Sequence, residues 1–346
     1  MRIAARSPQT AGRAGGAALV AIIAILLAAC QSTGPVRSSD GSPGVRATFI
    51  LANPAGLLAL DENARTLGRI VDLPPNSAPA TPVMHPNGKS LAFAITQVPT
   101  KSTGFGSDIW TVNLDGSGMK PLVEHEAETV FYATPRFDPT GNILYVHRRV
   151  AVLKNGSFVG NEDAILRIDL RTSERRTLLT DGADPTLSPD GRTLVYVHLK
   201  DGQADGLWTA NADGTGARPL LKGRDTFWYL QSPRFDSTGL RIAFSGAGHS
   251  ATAVDRMQAR LQERAGGSPR AHLGVPSELF LAPLDGTSVT SVAQTGDDVT
   301  PAWSPDGLRL AYIGTGAFFS VTVADRSVKS LAQSNDFFFG DLLWIR

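Results

Sequence analysis

The sequence predicts an all-β fold, and three observations support the prediction. Gly and Pro account for 35 and 22 of the 346 residues, a turn-rich composition that suits many short strands. A phrase made of a short strand, a tight turn and a second strand occurs five times along the chain. A second phrase, typical of a β-hairpin, follows each copy. Such repetition indicates that one structural unit is used several times.

The first phrase places a bulky apolar residue before a turn that contains Gly. It reads MHPNGKSLAFAI at 84–95, FDPTGNILYVH at 137–147, LSPDGRTLVYVH at 187–198, FDSTGLRIAFSG at 235–246 and WSPDGLRLAYIG at 303–314. Gly supplies the left-handed backbone position of the turn, and Pro presets its φ angle. The residues after the turn alternate between apolar and polar, which is typical of a strand with one buried face.

The second phrase is a pair of strands joined by Asp-Gly or a similar turn. It reads DIWTVNLDGSGMKPL at 108–122, AILRIDLRTSERRTLL at 164–179, LWTANADGTGARPLL at 207–221, ELFLAPLDGTSVTSVA at 278–293 and FFSVTVADRSVKSLA at 318–332. The two phrases together form a four-stranded antiparallel unit of about fifty residues, the size of one blade of a β-propeller.

A sixth unit is divided between the two ends of the sequence. The strand ATFILA (47–52) and the hairpin GLLALDENARTLGRIV (56–71) lack a first strand, and GDLLWIR (340–346) supplies one. We therefore expect a six-bladed, all-β propeller of four-stranded antiparallel blades. Pairing of the N- and C-terminal strands would close the ring and remove the exposed edges of an open sheet.

These phrases, with SPDG at 188–191 and 304–307, resemble the repeats of the TolB-like and WD-like propeller family. The resemblance spans the predicted propeller domain, residues 45–346. It implies the fold and says little about function, since related blades occur in scaffolds, in peptidase gates and in lyases. TolB carries an α/β domain before its propeller, and here we expect only a short tether in that position.

The first residues are typical of an export signal. Arg2, Arg6 and Arg13 precede the apolar run AALVAIIAILLAAC (17–30), which is too short for a confident membrane span. The run ends in Leu-Ala-Ala-Cys and resembles the lipobox of bacterial lipoproteins. The resemblance implies a signal peptide over 1–29 and acylation of Cys30; an ordinary secretory signal that contains a Cys is the alternative.

Cys30 is the one cysteine in the sequence, so no disulfide can form within the chain. Residues 30–44 lack apolar periodicity and are predicted to be the lipidated Cys and a flexible tether. By resemblance to the Gram-negative sorting rule, Gln31 favours the outer membrane. We expect an exported, lipid-anchored protein on the periplasmic side of the outer membrane, or on the outer face of the plasma membrane in other bacteria.

An insertion lengthens the spacing between the fourth and fifth copies of the first phrase. It covers residues 249–277, where Val254, Met257 and Leu261 recur at i, i+3 and i+7. This spacing predicts a short amphipathic helix. The helix either caps its blade or docks a partner.

Residues that could perform catalysis are scarce. The sequence has no nucleophile elbow, no phosphate loop and no His-Glu-x-x-His motif, so we expect no catalytic residue and no cofactor. His147 and His198 occupy equivalent places in neighbouring blades and are weak candidates for metal ligands. Two histidines fall short of a catalytic metal set, and packed, hydrogen-bonded histidines are the favoured interpretation.

The links between blades carry the main signal for a binding site. Eleven acidic residues lie in these links, opposed by Lys222 and Arg224, although the chain as a whole is nearly balanced at 33 basic and 32 acidic residues. Aromatic residues occur in every second link. The predicted binding face comprises Phe131, Tyr132, Arg136, Asp184, Phe227, Trp228, Tyr229, Arg234, Phe337, Phe338, Phe339 and Asp341.

Asp184 and Asp341 are expected to face each other across the axis. In the alternative, the aromatic residues only pack between the blades. The acidic face favours a basic peptide segment or an envelope protein as partner, and it disfavours nucleic acid because phosphates would meet carboxylates.

The sequence therefore predicts a non-catalytic, monomeric binding or scaffold propeller, anchored in the cell envelope through its lipid. A propeller that binds a carbohydrate or peptide ligand is the first alternative. An envelope hydrolase or lyase is the second.

Overall fold

The computed structural model describes residues 47–97, 104–222, 227, 229–247, 277–296 and 298–346. The predicted signal peptide, Cys30, the tether and the insertion up to residue 276 lie outside the described residues. These four predictions therefore remain predictions. No helix in the described part of the chain has the length and apolar character needed to cross a membrane.

The chain folds as an all-β propeller of antiparallel sheets. Its described residues form four four-stranded sheets and one eight-stranded sheet, together with a short 3₁₀ helix at Asn335–Phe337. The sheet that holds both ends of the described chain contains β1 (Phe49–Asn53), β2 (Gly56–Leu60), β3 (Thr66–Arg69) and β24 (Asp341–Trp344). Its strand order is β24-β1-β2-β3.

The eight-stranded sheet consists of two four-stranded antiparallel halves. The first half has β4 (Ser77–Met84), β5 (Ser90–Gln97), β6 (Ser107–Asn113) and β7 (Lys120–Val123). The second has β8 (Val130–Phe137), β9 (Ile143–Lys154), β10 (Ser157–Asp169) and β11 (Arg175–Thr180). One parallel bridge between Ser107 and Phe131 joins them.

The other three sheets follow in chain order. The first contains β12 (Gly182–Leu187), β13 (Thr193–Lys200), β14 (Gln203–Asn211) and β15 (Arg218–Lys222). The next has β16 (Tyr229–Phe235), β17 (Arg241–Ala247), β18 (Ser277–Pro283) and β19 (Thr290–Gln294). The last has β20 (Ala302–Trp303), β21 (Arg309–Gly314), β22 (Ala317–Thr322) and β23 (Val328–Gln333).

Strands β9 and β10 run further than the repeated phrases predict. They form a long hairpin of 12 and 13 residues whose tip is Asn155-Gly156, both with positive φ. Asn-Gly is the favoured sequence for a two-residue hairpin turn. The apolar residues that follow His147 continue the strand, so the segment between the two phrases is sheet rather than loop.

Strand β1 is buried on both faces because it packs between two other sheets. Phe49 and Leu51 lie in one apolar cluster with Phe318 of the β20–β23 sheet. Ile50 and Ala52 point to the opposite face and pack with Phe93 of the β4–β7 half-sheet. Successive side chains of a strand alternate between faces, so both faces of the sheet that contains β1 and β24 are packed against other sheets.

The last strand is paired in register with the first. Phe49 lies opposite Trp344, and Ala52 lies opposite Asp341. The rings of Phe49 and Trp344 are 4.7 Å apart, as are those of Phe49 and Phe318. The guanidinium of Arg309 covers the Trp344 ring at 4.8 Å. The C-terminal strand is therefore held by main-chain pairing and by aromatic packing.

Replacing Trp344 tests how far the fold depends on this strand. We expect Trp344→Ala to lower the free energy of unfolding by roughly 3–5 kcal/mol, because it leaves a cavity against Phe49. Urea denaturation measures the change. Leu308→Ala is the matched control, since Leu308 is 63% exposed and its truncation should change stability little. Equal denaturation midpoints for Trp344→Ala and the wild type would contradict this role of β24.

Candidate functional site

Six short polar residues, called here the axial ring, line one cavity of about 300 Å³. Each lies at or next to the first strand of a sheet or half-sheet. The members are Thr81, Thr134, Asp184, Ser232, Thr300 and Asp341. Residues from all parts of the described chain thus converge on a single space.

Hydrogen bonds connect most neighbours around the axial ring. Asp341 Oδ2 accepts a hydrogen bond from the Thr81 backbone N–H at 2.8 Å, and Thr81 Oγ1 accepts one from the Thr134 N–H at 3.0 Å. Asp341 Oδ1 accepts from the Thr300 hydroxyl at 2.8 Å. The Ser232 N–H donates to Asp184 Oδ2 at 3.4 Å, and the Ser232 and Thr300 hydroxyls are 3.5 Å apart. A short side chain suits this position because it reaches only the next residue of the ring.

Thr134 is the place where this chain of hydrogen bonds stops. Its Oγ1 is buried and has no hydrogen-bond partner among the described residues. An unpaired buried hydroxyl costs free energy, so this atom is available to a bound group that can satisfy it.

Four ring residues have a left-handed backbone, which is unusual for residues other than glycine. Their φ angles are 50° at Thr81, 46° at Thr134, 46° at Asp184 and 53° at Ser232. The strand register shifts at each of them, so each lies in a β-bulge. A bulge bends a strand and redirects a side chain, here into the cavity. Strained backbone of this kind is held by the surrounding structure and is frequent at functional sites.

Two arginines follow the ring residues by two positions. Arg136 exposes 9% of its surface, and its Nη1 donates a hydrogen bond to the Pro135 carbonyl oxygen at 2.7 Å. Arg234 makes the equivalent bond to Pro233 at 2.8 Å. Burial lowers the pKa of Arg136 well below its ordinary value and the charge of Arg234 lowers it further.

The two predicted aspartates act on both arginines. The charges of Asp184 and Asp341 each raise the pKa values of Arg136 and Arg234, against the effect of burial. Neither carboxylate lies close enough to form an ion pair, since no described residue pairs with either guanidinium within 4.0 Å. The attraction therefore acts through space, and the guanidinium donors stay unoccupied by carboxylate.

The aromatic residues of the predicted face separate into buried and exposed groups. Tyr132, Phe227 and Phe337 expose at most 2% of their surface and belong to the apolar core. Phe131 and Tyr229 are half-buried, while Phe338 and Phe339 are 47% and 46% exposed. Trp228 lies outside the described residues. At the three buried positions the side chains pack in the core, which is the arrangement that the alternative interpretation describes.

Tyr132 illustrates why a buried aromatic residue still has polar contacts. Its hydroxyl donates to Glu126 Oε2 at 2.6 Å and accepts from Arg175 Nη1 at 3.1 Å. Burial, helped by the Glu126 charge, raises the pKa of Tyr132 to about 12. Glu126 also pairs with Arg148, so this link acid is largely neutralised by the chain itself.

The cavity lined by the axial ring opens at a mouth that combines carboxylates with exposed aromatic rings. Phe338 and Phe339 line it together with Asp298, which accepts hydrogen bonds from the Tyr229 hydroxyl and from Gln231 Nε2 at 3.3 Å each. Asp184, Asp298 and Asp341 all line this cavity, and Arg234 is its one basic lining residue among the described residues. We call this entrance, formed by Asp298, Phe338 and Phe339, the link-side mouth.

The two candidate histidines each have a carboxylate of their own. His147 is buried, and its Nε2 lies 2.7 Å from Asp163 Oδ1, which Arg149 also contacts. His198 stacks on Trp208 with ring centroids 4.1 Å apart, and its Nδ1 is 3.3 Å from Asp205. In the part of the chain that the structure describes, no group of three or more His, Cys, Asp or Glu residues could hold a metal ion.

A repeated dipeptide in the sequence marks five of the six ring residues. Pro follows the ring residue in five cases: Thr81, Thr134, Asp184, Ser232 and Thr300. In each case a bulky apolar residue ends the strand two positions after that Pro. Charge singles out Asp184 and Asp341 among the predicted residues and does not single out the four hydroxyl members. The signal that identifies them is a Thr, Ser or Asp immediately before Pro, which recurs along the sequence at the spacing of the blades.

Comparison with known proteins shows the fold. No family model matches the chain, and no curated protein sequence matches it. TolB from Acinetobacter baumannii is similar in structure, with a TM-score of 0.60, 15% identity and coverage of 86% of this chain. This chain spans 65% of the length of that protein.

Two further structures show the same likeness. A putative TolB from Agrobacterium tumefaciens has a TM-score of 0.53 at 15% identity and covers 85% of this chain and 96% of its own. An oligogalacturonate lyase from Vibrio parahaemolyticus has a TM-score of 0.52 at 11% identity, covering 80% of this chain and 71% of its own. The neighbours are TolB-like propellers that include an enzyme, so the likeness establishes the fold and leaves binding or catalysis to be decided by the site.

Replacing Asp341 tests the axial ring. In Asp341→Asn the amide oxygen can still accept from the Thr81 N–H, but the NH2 group replaces the acceptor of the Thr300 hydroxyl, and the charge that favours both arginines is lost. We expect the free energy of unfolding to fall by about 1.5–3 kcal/mol, the range for hydrogen bonds to charged groups. Urea denaturation at neutral pH measures it, with Glu162→Gln on the exposed part of β10 as the control. An unchanged midpoint for Asp341→Asn would show that the ring does not depend on this charge.

Proposed function

We propose that the chain is a non-catalytic binding propeller of the bacterial cell envelope. In this proposal it is anchored by a lipid on Cys30 and captures a basic segment of an envelope protein at the link-side mouth. One observation carries the proposal: the cavity of about 300 Å³ lined by the axial ring, where three carboxylates and two exposed phenylalanines meet.

Six blades in a closed ring are part of the proposal. The two halves of the eight-stranded sheet count as separate blades, since a single bridge joins them. Two features support closure: β24 pairs with β1, and the sheet that they share packs against another sheet on each face. The hydrogen bonds of Asp341 to Thr81 and Thr300 also join the C-terminal strand to residues from two other sheets.

The chemistry of the link-side mouth favours a basic peptide. Phe338 and Phe339 offer aromatic surface that a partner can bury, and aromatic side chains often dominate binding energy. The carboxylates of Asp184, Asp298 and Asp341 attract Lys or Arg side chains towards that surface. Glu126, a link acid that does not line this cavity, is paired with Arg148 and Arg175, so its charge is largely neutralised within the chain.

The envelope setting rests on two supports. The lipobox-like Leu-Ala-Ala-Cys ending at residue 30 supports export and acylation. The likeness of the fold to TolB supports the same compartment. We propose the periplasmic side of the outer membrane in a Gram-negative cell, because Gln31 follows the cysteine.

Selection of peptides on the purified protein tests the binding proposal. We expect peptides enriched from a random displayed library to carry Lys or Arg beside an apolar residue, and their affinity to fall as salt rises. In Phe338→Ala the affinity of such a peptide should fall roughly tenfold or more, because an aromatic anchor is lost. Fluorescence polarisation measures it.

Phe158→Ala is the matched control, since Phe158 is an exposed phenylalanine on the β9–β10 hairpin. It should bind the peptide as the wild type does. Enrichment of acidic peptides, or equal affinity of Phe338→Ala and the wild type, would refute the proposed site.

Metabolic labelling with a fatty-acid analogue tests the anchor. The wild type should incorporate the label and Cys30→Ala should not, because Cys30 is the one thiol in the sequence. Ser32→Ala, two residues away, should be labelled as the wild type is. Labelling of Cys30→Ala, or absence of label from the wild type, would refute lipidation at this residue.

A further inference from the structure

We propose that the propeller contains a second binding site, in which Arg136 and Arg234 hold the carboxylate of a small organic acid. The site is a cavity of about 200 Å³ on the other side of the axial ring from the link-side mouth. It is lined by Val83, Arg136, Arg234, Trp303, Leu343 and Trp344, together with other residues, and we call it the turn-side pocket.

The direction of the first strands separates the two cavities. Asp298, Phe338 and Phe339 precede the ring residues in the chain, and they line the link-side cavity. Val83, Trp303 and Trp344 follow ring residues, and they line the turn-side pocket. Asp341 and Arg234 line both, so the ring lies at the boundary between the two spaces.

The donor groups of the two arginines are mostly unoccupied. Each guanidinium makes one hydrogen bond, from Nη1 to the carbonyl oxygen of the preceding proline. A guanidinium carries five N–H donors in a planar fork that matches a carboxylate. Two such forks therefore line one small pocket with most of their donors unused by the described residues. The remaining N–H groups face the accessible space of the pocket, where a bound carboxylate could accept charge-assisted hydrogen bonds from them.

The nearby aspartates do not take the place of such a ligand. Both oxygens of Asp341 accept hydrogen bonds from ring residues, and Asp184 Oδ2 accepts one from Ser232. Their charges offset part of the cost of burying the arginines, as the opposed effects on the arginine pKa values indicate. They remain more than 4.0 Å from the guanidiniums, so the forks are open to an anion in contact.

The walls of the turn-side pocket select the rest of the ligand. Val83, Leu343 and the rings of Trp303 and Trp344 offer apolar surface beside the arginines. Trp303 is fixed by a hydrogen bond from its Nε1 to the Arg234 carbonyl oxygen at 3.0 Å, and Arg241 covers its ring at 5.1 Å. A charged group beside rigid aromatic walls suits a carboxylate on an apolar or ring-shaped skeleton.

This inference is independent of the proposed function. The groups that would contact the ligand differ between the two sites: Asp298, Phe338 and Phe339 line only the link-side cavity, while Arg136 and Trp303 line only the turn-side pocket, so either site can fail while the other stands. Peptide capture tests the mouth, and a small acid tests the pocket.

Benzoate is the probe, and benzamide is its neutral counterpart of nearly the same shape. We expect titration calorimetry to detect one benzoate per chain and benzoate to raise the melting temperature of the wild type. Benzamide, and sodium chloride at the same ionic strength, should do neither. Equal effects of benzoate and benzamide, or an equal effect of chloride, would overturn the proposal.

Two variants locate the site. Arg136→Met and Arg234→Met keep the length of the side chain and remove its donors, so each should weaken benzoate binding about tenfold or more. Arg192→Met is the control, because the Arg192 side chain is 86% exposed and should leave binding unchanged. Benzoate binding that survives in both pocket variants would overturn the assignment. If a variant fails to fold, the comparison of benzoate, benzamide and chloride on the wild type still decides.

Discussion

The Asp341 carboxylate accepts two hydrogen bonds, and these connect the C-terminal strand β24 to other members of the axial ring. One oxygen accepts from Thr81 of β4, and the other accepts from Thr300, which precedes β20. β24 is thereby fixed at its first residue, while its pairing with β1 fixes the remainder. The positions of both cavities follow, since Asp341 lines each of them.

The left-handed members of the axial ring show which type of residue their positions require. Thr81 and Thr134 are β-branched and adopt a conformation that ordinarily favours glycine. At Thr81 a glycine would remove the strain and also the side-chain oxygen that accepts the Thr134 N–H. The strain, of order 1–3 kcal/mol for such a residue, is therefore offset by hydrogen bonds around the ring and by the packing of the sheets behind it. A Pro follows each of the four left-handed residues and makes the local backbone stiffer still.

The repeats and the pairing of the terminal strands could be predicted because both depend on local patterns. Turn residues and alternation recur in every copy, and the orphan strands at the two ends complement each other. Which aromatic side chains are buried could not be predicted in this way. Tyr132 and Phe131 are neighbours in β8, and one is buried while the other is half-buried. Burial alternates over residues 130–133, so the strand pattern places these two rings on opposite faces of the sheet. Because both residues are aromatic, the sequence does not specify which of the two faces enters the core.

The charged, hydroxyl and aromatic groups differ between the two cavities on either side of the axial ring. Asp298 and two exposed aromatic rings lie at the link-side mouth, and hydroxyls and two carboxylates form the axial ring. Arg136 lines only the turn-side pocket, and Arg234 lines both cavities. The opposite charges are close enough to shift the arginine pKa values and too far apart to pair. If they paired, each would satisfy the other and neither end would attract a ligand. The distance between the ring carboxylates and the guanidiniums therefore leaves groups of both signs able to attract a ligand, in a chain whose net charge is close to zero.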